Sequence, residues 1–320
     1  MIELKNVTKK FGLNTAVNNI SVKFDDGEII GFLGPNGAGK STTMNMMTGY
    51  ISTTSGSIEI NGFDILKDAD KAKKLIGYLP ENPPLYMDMT VMEYLKFVFE
   101  LKGVKLDKKK HIEEIMDLVK IVNVKDRIIK NLSKGYKQRV GIAQALIGNP
   151  EVLILDEPTV GLDPNQIQEI RTLIRNLGRN RTVIISSHIL SEITSVCSKV
   201  LIINHGKLVI YDTIQNINEK LVNQAVYVAT IVGVKDIVIN AINEIPDVKT
   251  VVAEPTGEAD KFIYTITPKE GKDIRKQILD ITDKKNLSLM SFDTKKMSLE
   301  DIFLKVTAKR KKQDLKKGDK

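Results

Sequence analysis

Residues 34–41 contain glycines, a lysine and a hydroxyl side chain at a spacing that is suited to bind a nucleoside triphosphate. They read GPNGAGKS and fit the pattern G-x-x-x-x-G-K-[ST]. Glycines let the backbone curl until its amides face the phosphates, the lysine offsets phosphate charge, and the hydroxyl binds Mg²⁺. The apolar run 29–33 and the segment 40–48 predict the strand and the helix between which such a loop lies. The predicted loop residues are Gly34, Pro35, Asn36, Gly37, Ala38, Gly39, Lys40, Ser41 and Thr42.

A second group of chemistry-bearing residues follows the apolar run 152–155. Such a run predicts a parallel strand that is buried on both faces, with Asp156 and Glu157 at its carboxyl end, where ligands bind in α/β sheets. We expect Asp156 to hold Mg²⁺ through water and Glu157 to polarise the water that attacks the γ-phosphate. An exposed strand end is the alternative interpretation. Lys40 and Ser41 favour the catalytic one.

The stretch 132–139 reads LSKGYKQR and completes a set of three motifs. With them, the chain resembles the ATP-binding cassette (ABC) ATPases, whose signature reads Leu-Ser-Gly-Gly-Gln followed one residue later by Gln-Arg. Lys134 and Tyr136 replace a Gly and a Gln of that signature. Ser133 and Gly135 are kept and predict a helix start that is suited to receive an anion. An ordinary helix N-cap is the alternative interpretation of Ser133.

The resemblance assigns roles to four more residues. It implies that Phe11 stacks on adenine in place of the usual Tyr, since stacking requires only an aromatic face. Glu81 stands where many relatives carry Gln and adds a carboxylate ligand for Mg²⁺. His188 matches the histidine that contacts the γ-phosphate. Asp163 belongs to the Gly-Leu-Asp loop that meets the opposite subunit.

The mechanism implied by the resemblance is that of a head-to-tail dimer of ATPase subunits, either a homodimer or a heterodimer. Each ATP, with its Mg²⁺, is held by the phosphate loop of one subunit and capped by the signature of the other. Hydrolysis releases the dimer and drives a separate integral-membrane permease. The implied catalytic residues are Lys40, Glu157 and His188. The implied metal ligands are Ser41, Glu81 and Asp156.

The composition agrees with this interpretation. Of 320 residues, 42% are hydrophobic and 28% charged, which is typical of a globular protein. No apolar run approaches the length that crosses a bilayer, and the first residues lack a signal-peptide pattern. Cys197 is the only cysteine, which excludes an intramolecular disulfide and fits a reducing compartment. We therefore expect a cytoplasmic protein, peripheral on the inner face of the cell membrane through its permease.

The order of predicted elements divides the chain into four parts. Residues 1–212 predict an α/β fold of the P-loop NTPase (ABC ATPase) type, with an antiparallel β subdomain and a helical subdomain at about 91–122. Residues 213–224 read as a polar linker. Residues 225–306 predict a small α+β ferredoxin-like accessory domain, because its elements follow the order β-α-β-β-α-β before a last helix at 298–304. Residues 307–320 form a basic tail.

The positive charge is concentrated at the end of the sequence. Eight Lys or Arg and two Asp lie between 305 and 320, so this segment supplies six of the eight net positive charges. A solvated tail and weak attraction to anionic lipid heads are both open interpretations. No nucleic-acid partner is expected, because no aromatic residues are interleaved with the basic ones.

The preferred functional interpretation is the ATPase subunit of an exporter, because the accessory domain resembles that of the antibiotic- and lipid-exporting branch. A soluble ABC ATPase that acts on ribosomes or DNA is the alternative. A nucleotide-sensing module without hydrolysis is disfavoured, since Glu157 and His188 are both present. Leu85 and Tyr86 are expected to be exposed and to anchor a permease helix, or alternatively to pack within the core.

Overall fold

The computed structural model describes residues 1–217, 225–258, 260–269 and 271–296. The chain divides into two compact units, Met1–Ile214 and Gln215–Lys320, here called the first unit and the second unit. The predicted helix at 298–304 and the basic tail lie outside the described residues. The predicted domain borders stay predictions, and the predicted linker begins one residue inside a strand, because the last strand of the first unit includes Thr213.

The first unit alternates strands and helices through most of its length. In chain order its elements are β1 (Ile2–Phe11), β2 (Asn14–Phe24), β3 (Ile29–Leu33), α1 (Lys40–Met47), β4 (Ser55–Ile60), β5 (Phe63–Asp64), α2 (Ala69–Lys74), β6 (Ile76–Leu79), α3 (Val91–Leu101), α4 (Lys108–Leu118), α5 (Lys134–Leu146), β7 (Val152–Leu155), α6 (Pro164–Leu177), β8 (Thr182–Ser187), α7 (Leu190–Val196), β9 (Lys199–Asn204) and β10 (Lys207–Thr213).

The central sheet of this unit positions the predicted site. Its strand order is β10–β9–β3–β8–β7–β6, in which β10 is antiparallel to β9 and every other neighbouring pair is parallel. All residues of β7 and β8 are buried, which explains their apolar runs. The carboxyl ends of β3, β7 and β8 meet at one edge of the sheet, where the predicted phosphate loop, acidic pair and histidine follow them.

A smaller antiparallel sheet, in the order β2–β1–β4–β5, forms the predicted β subdomain. It shares one hydrophobic core with the central sheet and with α1. Met44, Met46 and Met47 of α1 are all 0% exposed in this core. The helix that follows the phosphate loop is therefore held by apolar packing, although half of its eight residues are Ser, Thr or Asn.

The helical subdomain predicted at about 91–122 consists of two helices. α3 and α4 are separated by residues 102–107. Gly103 adopts a left-handed φ of 58° just after α3, and the Asp107 side chain accepts a hydrogen bond from the Lys110 amide at the start of α4. A glycine that ends a helix and an aspartate that caps the next one explain the break.

The predicted docking segment is only partly exposed. Leu85 is 9% exposed and belongs to the core, so its prediction as an exposed anchor is wrong. Tyr86 is 54% exposed, and its ring lies edge-on to the rings of Tyr94 and Phe97, with centroids 6.0 and 5.2 Å away. Docking of a partner at Tyr86 stays a prediction.

From Ala225 to Lys296, the described residues of the second unit form a four-stranded antiparallel sheet with two helices. Its elements are β11 (Ala225–Val232), α8 (Lys235–Asn243), β12 (Val248–Pro255), β13 (Lys261–Pro268), α9 (Arg275–Lys284) and β14 (Ser288–Lys296). The strand order β12–β13–β11–β14 and the element order β-α-β-β-α-β are those of a ferredoxin-like sandwich. Among the helices of both units that the structure describes, none is both long enough and apolar enough for a bilayer crossing.

Candidate active site

The predicted phosphate loop connects β3 to α1 and is tightly packed against neighbouring backbone. Gly37 and Gly39 adopt left-handed φ angles of 74° and 106°, which strain any residue with a side chain. A Cβ at Gly39 would lie 2.6 Å from the carbonyl oxygen of Ala16, and one at Gly34 would lie 2.5 Å from that of Ile203. Glycine is therefore required at these positions by the fold itself, in addition to any requirement of a ligand.

Lys40 begins α1 and is 7% exposed. Its Nζ donates a hydrogen bond to the carbonyl oxygen of Gly34 at 2.7 Å. Burial lowers the pKa of this ammonium group, while the charges of Glu157, Asp156 and Glu81 favour its protonated form. One buried cation thus faces three carboxylates that come from distant parts of the sequence.

A pocket of about 360 Å³ opens beside Lys40. Its lining residues are Asn36, Gly37, Gly39, Lys40, Ser41, Thr42, Glu81, Glu157, Val160 and His188. All of them except Val160 belong to the predicted site. The structure therefore brings the phosphate loop, the predicted catalytic carboxylate and the predicted histidine into one cavity.

Asp156 and Glu157 are buried and are linked by a serine of the next strand. The amide of Glu157 donates to the Ser186 Oγ at 2.8 Å, and that hydroxyl donates to the Asp156 Oδ1 at 2.5 Å. Glu157 has a left-handed φ of 48°, an uncommon conformation for a residue other than glycine or asparagine. Such strain is retained where the surrounding structure holds it, and here the Ser186 contact does so.

His188 follows β8 and contacts Glu157 directly. Its Nδ1 lies 3.0 Å from the Glu157 Oε2, so Nδ1 carries a proton that it donates to the carboxylate. The His188 side chain is 45% exposed, whereas that of Glu157 is 10% exposed. The histidine therefore forms the solvent-facing wall of the pocket and the glutamate its interior.

Sequence reasoning missed the serines that hold this arrangement. Ser186 and Ser187 are 0% and 1% exposed at the end of β8. The signal that identifies them is a pair of hydroxyls at the end of an apolar run, at the sheet edge that also carries Asp156. Buried hydroxyls at such a place need acceptors, and carboxylates are the nearest ones.

Eight predicted site residues do not line this pocket. Gly34, Pro35 and Ala38 belong to the same loop, and Asp156 directly precedes Glu157. The other four come from other segments. Phe11 is 52% exposed, and the Lys9 ammonium lies 5.1 Å from its ring centroid. Asp163 caps α6, where its side chain accepts from the Gln166 amide at 2.9 Å. Ser133 caps α5 through a 3.4 Å bond from the Tyr136 amide. Ser133 and Gly135 line a separate cavity of about 370 Å³.

The substituted signature position makes a contact within the same unit. Lys134, which replaces a family Gly, is the first residue of α5, and its ammonium lies against Gly161. Gly161 has a left-handed φ of 69° in the loop before Asp163. The signature and the Gly-Leu-Asp loop are therefore in contact through a lysine side chain.

Known proteins resemble both the sequence and the structure. The profile of the family described as ABC transporter matches residues 17–160. The bacitracin transport ATP-binding protein of Bacillus licheniformis is 43% identical over 210 residues, 65% of this chain and 68% of that protein. The linearmycin resistance ATP-binding protein of Bacillus subtilis (strain 168) is 31% identical over 311 residues, 97% of this chain and 99% of that protein. The dimeric post-hydrolysis structure of an ATP-binding cassette bound to ADP and Pi aligns with a TM-score of 0.61 at 26% identity, over 67% of this chain and 98% of that one.

This chain belongs to the ABC transporter family, and it is an ATP-binding cassette ATPase of that family. The predicted resemblance and the predicted fold class are both confirmed. The match to the linearmycin resistance protein extends through the second unit, beyond the length of the aligned cassette structure. The roles of individual site residues stay predictions.

Proposed function

We propose that this chain is the ATP-hydrolysing subunit of an ABC exporter, which drives a separate integral-membrane permease through ATP-dependent closure of a head-to-tail dimer. The observation that carries the proposal is the pocket in which Lys40, Ser41, Glu157 and His188 meet. This pocket supplies a cation for the phosphates, a hydroxyl for a metal ion, a carboxylate for water and an imidazole for the γ-phosphate.

ATP binding is proposed to use the loop and the first turn of α1. The backbone amides of residues 34–39 and the Lys40 ammonium bind the phosphates. The burial of Lys40 supports this role, because a buried cation attracts phosphate more strongly than a solvated one. Phe11 offers an exposed ring on which adenine stacks.

Mg²⁺ fits the oxygen ligands at this pocket. Ser41 and Glu81 line it, and Asp156 lies at the adjoining strand end. Within the described ranges, no three or more His, Cys, Asp or Glu side chains group together to hold a metal ion by themselves. This suits Mg²⁺, which takes one or two carboxylates and completes its shell with phosphate oxygens and water. Mg²⁺ held by Ser41, Glu81 and Asp156 would supply positive charge against the phosphates.

Hydrolysis is proposed to depend on Glu157 as the group that polarises the attacking water. The contact with His188 orients the Glu157 carboxylate toward the pocket. Lys40 stabilises the charge that develops on the leaving phosphate. His188, at the solvent-facing wall, contacts the γ-phosphate.

A head-to-tail dimer gives a role to the residues that lie away from the pocket. Ser133 and Gly135 stand at the N-terminal end of α5, which carries a partial positive charge. We propose that they cap the ATP held by a second subunit, with Asp163 in the loop that meets it. Solved dimers of ATP-binding cassettes support this arrangement, since they align over 98% of their length. A homodimer and a heterodimer both fit.

Export is supported by the relatives. Proteins named for bacitracin transport, lantibiotic transport and linearmycin resistance are among the similar sequences. In this proposal the chain lies at the inner face of the cell membrane, bound to a permease that recognises the substrate. Action on ribosomes or DNA is not favoured, because none of these relatives is named for it.

Two measurements test the proposal. Glu157→Gln should bind ATP and elute as a dimer in gel filtration with ATP, because the step that opens the dimer is removed. Co-expression with a six-span membrane protein encoded by the neighbouring reading frame should yield a complex whose ATPase rate responds to the transported compound. A monomeric Glu157→Gln variant would contradict the dimer, and a chain that never associates with the membrane protein would contradict the exporter.

A further inference from the structure

One carboxylate outside the pocket joins the two segments that carry Glu157 and His188. The Glu192 Oε2 accepts hydrogen bonds from the Thr159 hydroxyl and from the Ser187 hydroxyl, each at 2.8 Å. Thr159 follows Glu157 by two residues, and Ser187 directly precedes His188. A single side chain in the first turn of α7 thus connects the loop after β7 with the end of β8.

Both donors are buried, so their hydroxyls depend on this acceptor. Thr159 is 7% exposed and Ser187 is 1% exposed, and buried hydroxyls in folded proteins almost always have a partner. The Ser187 oxygen in turn accepts from the Ile189 amide at 3.0 Å. The turn that contains His188 is therefore fixed on both of its sides.

Glu157 and His188 are consequently connected in two ways. The direct contact joins their side chains at 3.0 Å, and it changes as soon as either side chain turns toward ATP or water. The connection through Glu192 holds the backbone near each residue and does not involve either reacting group. Such support preserves the relative position of catalytic groups while the groups themselves act.

We propose that Glu192 is a positioning residue for ATP hydrolysis. It holds the backbone segments of Glu157 and His188 at a fixed separation through its two hydroxyl donors. This inference rests on the proposed roles of Glu157 and His188. Because Glu192 does not line the pocket, it acts on turnover and not on ATP affinity.

The chemistry of the acceptor predicts how substitutions rank. One oxygen that accepts two O–H donors uses two lone pairs, and the negative charge of a carboxylate strengthens both bonds. Gln keeps an oxygen acceptor and loses the charge, whereas Leu has a similar volume and no acceptor. If Glu192 only offsets the helix dipole of α7, the Gln and Leu variants should have equal ATPase activity, because both lack the negative charge. If it positions the two segments, Gln should retain more activity than Leu.

The first test measures steady-state ATP hydrolysis of the full chain with saturating Mg-ATP. We expect kcat to fall about 10- to 100-fold in Glu192→Leu and less in Glu192→Gln, as small displacements of catalytic groups do. The KM for ATP should stay within about twofold in both. Ser191→Ala, on the exposed side of the same helix, is the control and should keep the wild-type rate.

The two donors provide a second test that leaves Glu192 intact. Thr159→Val and Ser187→Ala each remove one hydroxyl with little change in volume. Because both hydroxyls share one acceptor, the loss of kcat in the double variant should differ from the product of the separate losses. In the Glu192→Leu background, each donor substitution should change kcat by less than about twofold.

Several results would overturn the inference. These are a wild-type kcat in Glu192→Leu, equal rates in the Gln and Leu variants, or independent losses at Thr159 and Ser187. If Glu192→Leu does not fold, the two donor variants decide the question. Glu157→Gln is measured alongside: an active variant contradicts the proposed catalytic role, whereas an inactive one beside a fully active Glu192→Leu contradicts only the positioning role.

Discussion

The two units of the chain differ in what they bury. In the first unit Lys40, Asp156, Glu157 and Ser186 are at most 8% exposed. Lys40 and Glu157 line one pocket, and Ser186 links Glu157 to Asp156 by hydrogen bonds. In the described part of the second unit, apart from tyrosines, the buried polar side chain is Thr282, whose hydroxyl donates to the backbone of its own helix. Burying charge is unfavourable unless the charges are paired. The cluster of buried charged side chains therefore distinguishes the first unit as the one in which ATP chemistry takes place.

The core of the second unit is built from apolar contacts instead. Ala229 and Ile231 of β11 pack with Tyr264 and Ile266 of β13 and with helix residues such as Ile242. We expect substitutions in this core to act on the free energy of unfolding alone, and substitutions in the buried polar cluster to act on ATP binding or hydrolysis as well. The following predictions separate these two effects.

The largest effect is expected from Glu157→Gln. The amide cannot polarise the attacking water, so kcat for ATP hydrolysis should fall by about 10³-fold. ATP affinity should be retained, since the substitution also removes a negative charge from the pocket. Phosphate release measures the rate and nucleotide titration measures the affinity. A variant that hydrolyses ATP at the normal rate would show that another group polarises the water.

Lys40→Ala should weaken the binding of ATP, which precedes its hydrolysis. The phosphates lose their buried counter-charge, and three carboxylates are left around an uncharged position. We expect ATP affinity to fall by about 100-fold, the value of a hydrogen bond to a charged group. Lys40→Met is the control for lost volume and should weaken binding equally. Wild-type affinity in both variants would contradict the assignment of the phosphate loop.

Ile266→Ala tests the other side of the comparison. Ile266 is 0% exposed in the core of the second unit, and its truncation should destabilise that unit by about 2–5 kcal/mol. ATP affinity should not change, because Ile266 does not line the pocket. Denaturant unfolding and nucleotide titration of the same sample measure the two quantities. A loss of ATP affinity without a loss of stability would contradict the division of roles.

The sequence predicted the site better than it predicted the contacts that hold it. The loop 34–41 has a fixed spacing and lies between a buried strand and a helix, so its position followed from local patterns. His188 was assigned from the resemblance to the ABC ATPases, and the structure places it after the buried strand β8. Glu192 was missed, because its partners Thr159 and Ser187 come from other segments, and no local pattern indicates which hydroxyls a carboxylate will meet.

The fold shows the same limit. Apolar runs predicted the buried strands β3 and β7, and the order of predicted elements gave the β-α-β-β-α-β arrangement of the second unit. The helical stretch predicted at about 91–122 did not locate the break between α3 and α4, because apolar periodicity is present on both sides of it, through Val98 and Ile112. Leu85 was predicted to lie in an exposed loop, whereas its burial depends on tertiary packing. Local sequence patterns therefore indicate where helices and strands lie along the chain. They do not indicate which loop side chains are buried by tertiary packing.

Ser186→Ala should have a smaller effect that combines stability and chemistry. The substitution leaves the Glu157 amide without its acceptor and the Asp156 carboxylate without its donor. We expect a loss of about 1–3 kcal/mol in the free energy of unfolding, the usual result of unpaired buried groups. The kcat should fall as well, because the strained backbone at Glu157 loses its support. An unchanged rate with reduced stability would assign Ser186 to the fold alone.

The smallest effect is expected from Tyr264→Phe in the second unit, and it sharpens the contrast with Ser186. Tyr264 is 0% exposed, and its hydroxyl has no hydrogen-bond partner among the residues the structure describes. Removing an unpaired buried hydroxyl relieves its desolvation, so the free energy of unfolding should rise or stay within about 1 kcal/mol of wild type.

Tyr227→Phe is the matched control: the Tyr227 hydroxyl donates to Asp273 at 3.1 Å, and its loss should destabilise the unit by about 1 kcal/mol. Denaturant midpoints of the two variants compare them directly. If Tyr264→Phe is the more destabilised of the pair, the Tyr264 hydroxyl stabilises the fold, and the second unit depends on a buried polar group as the first unit does.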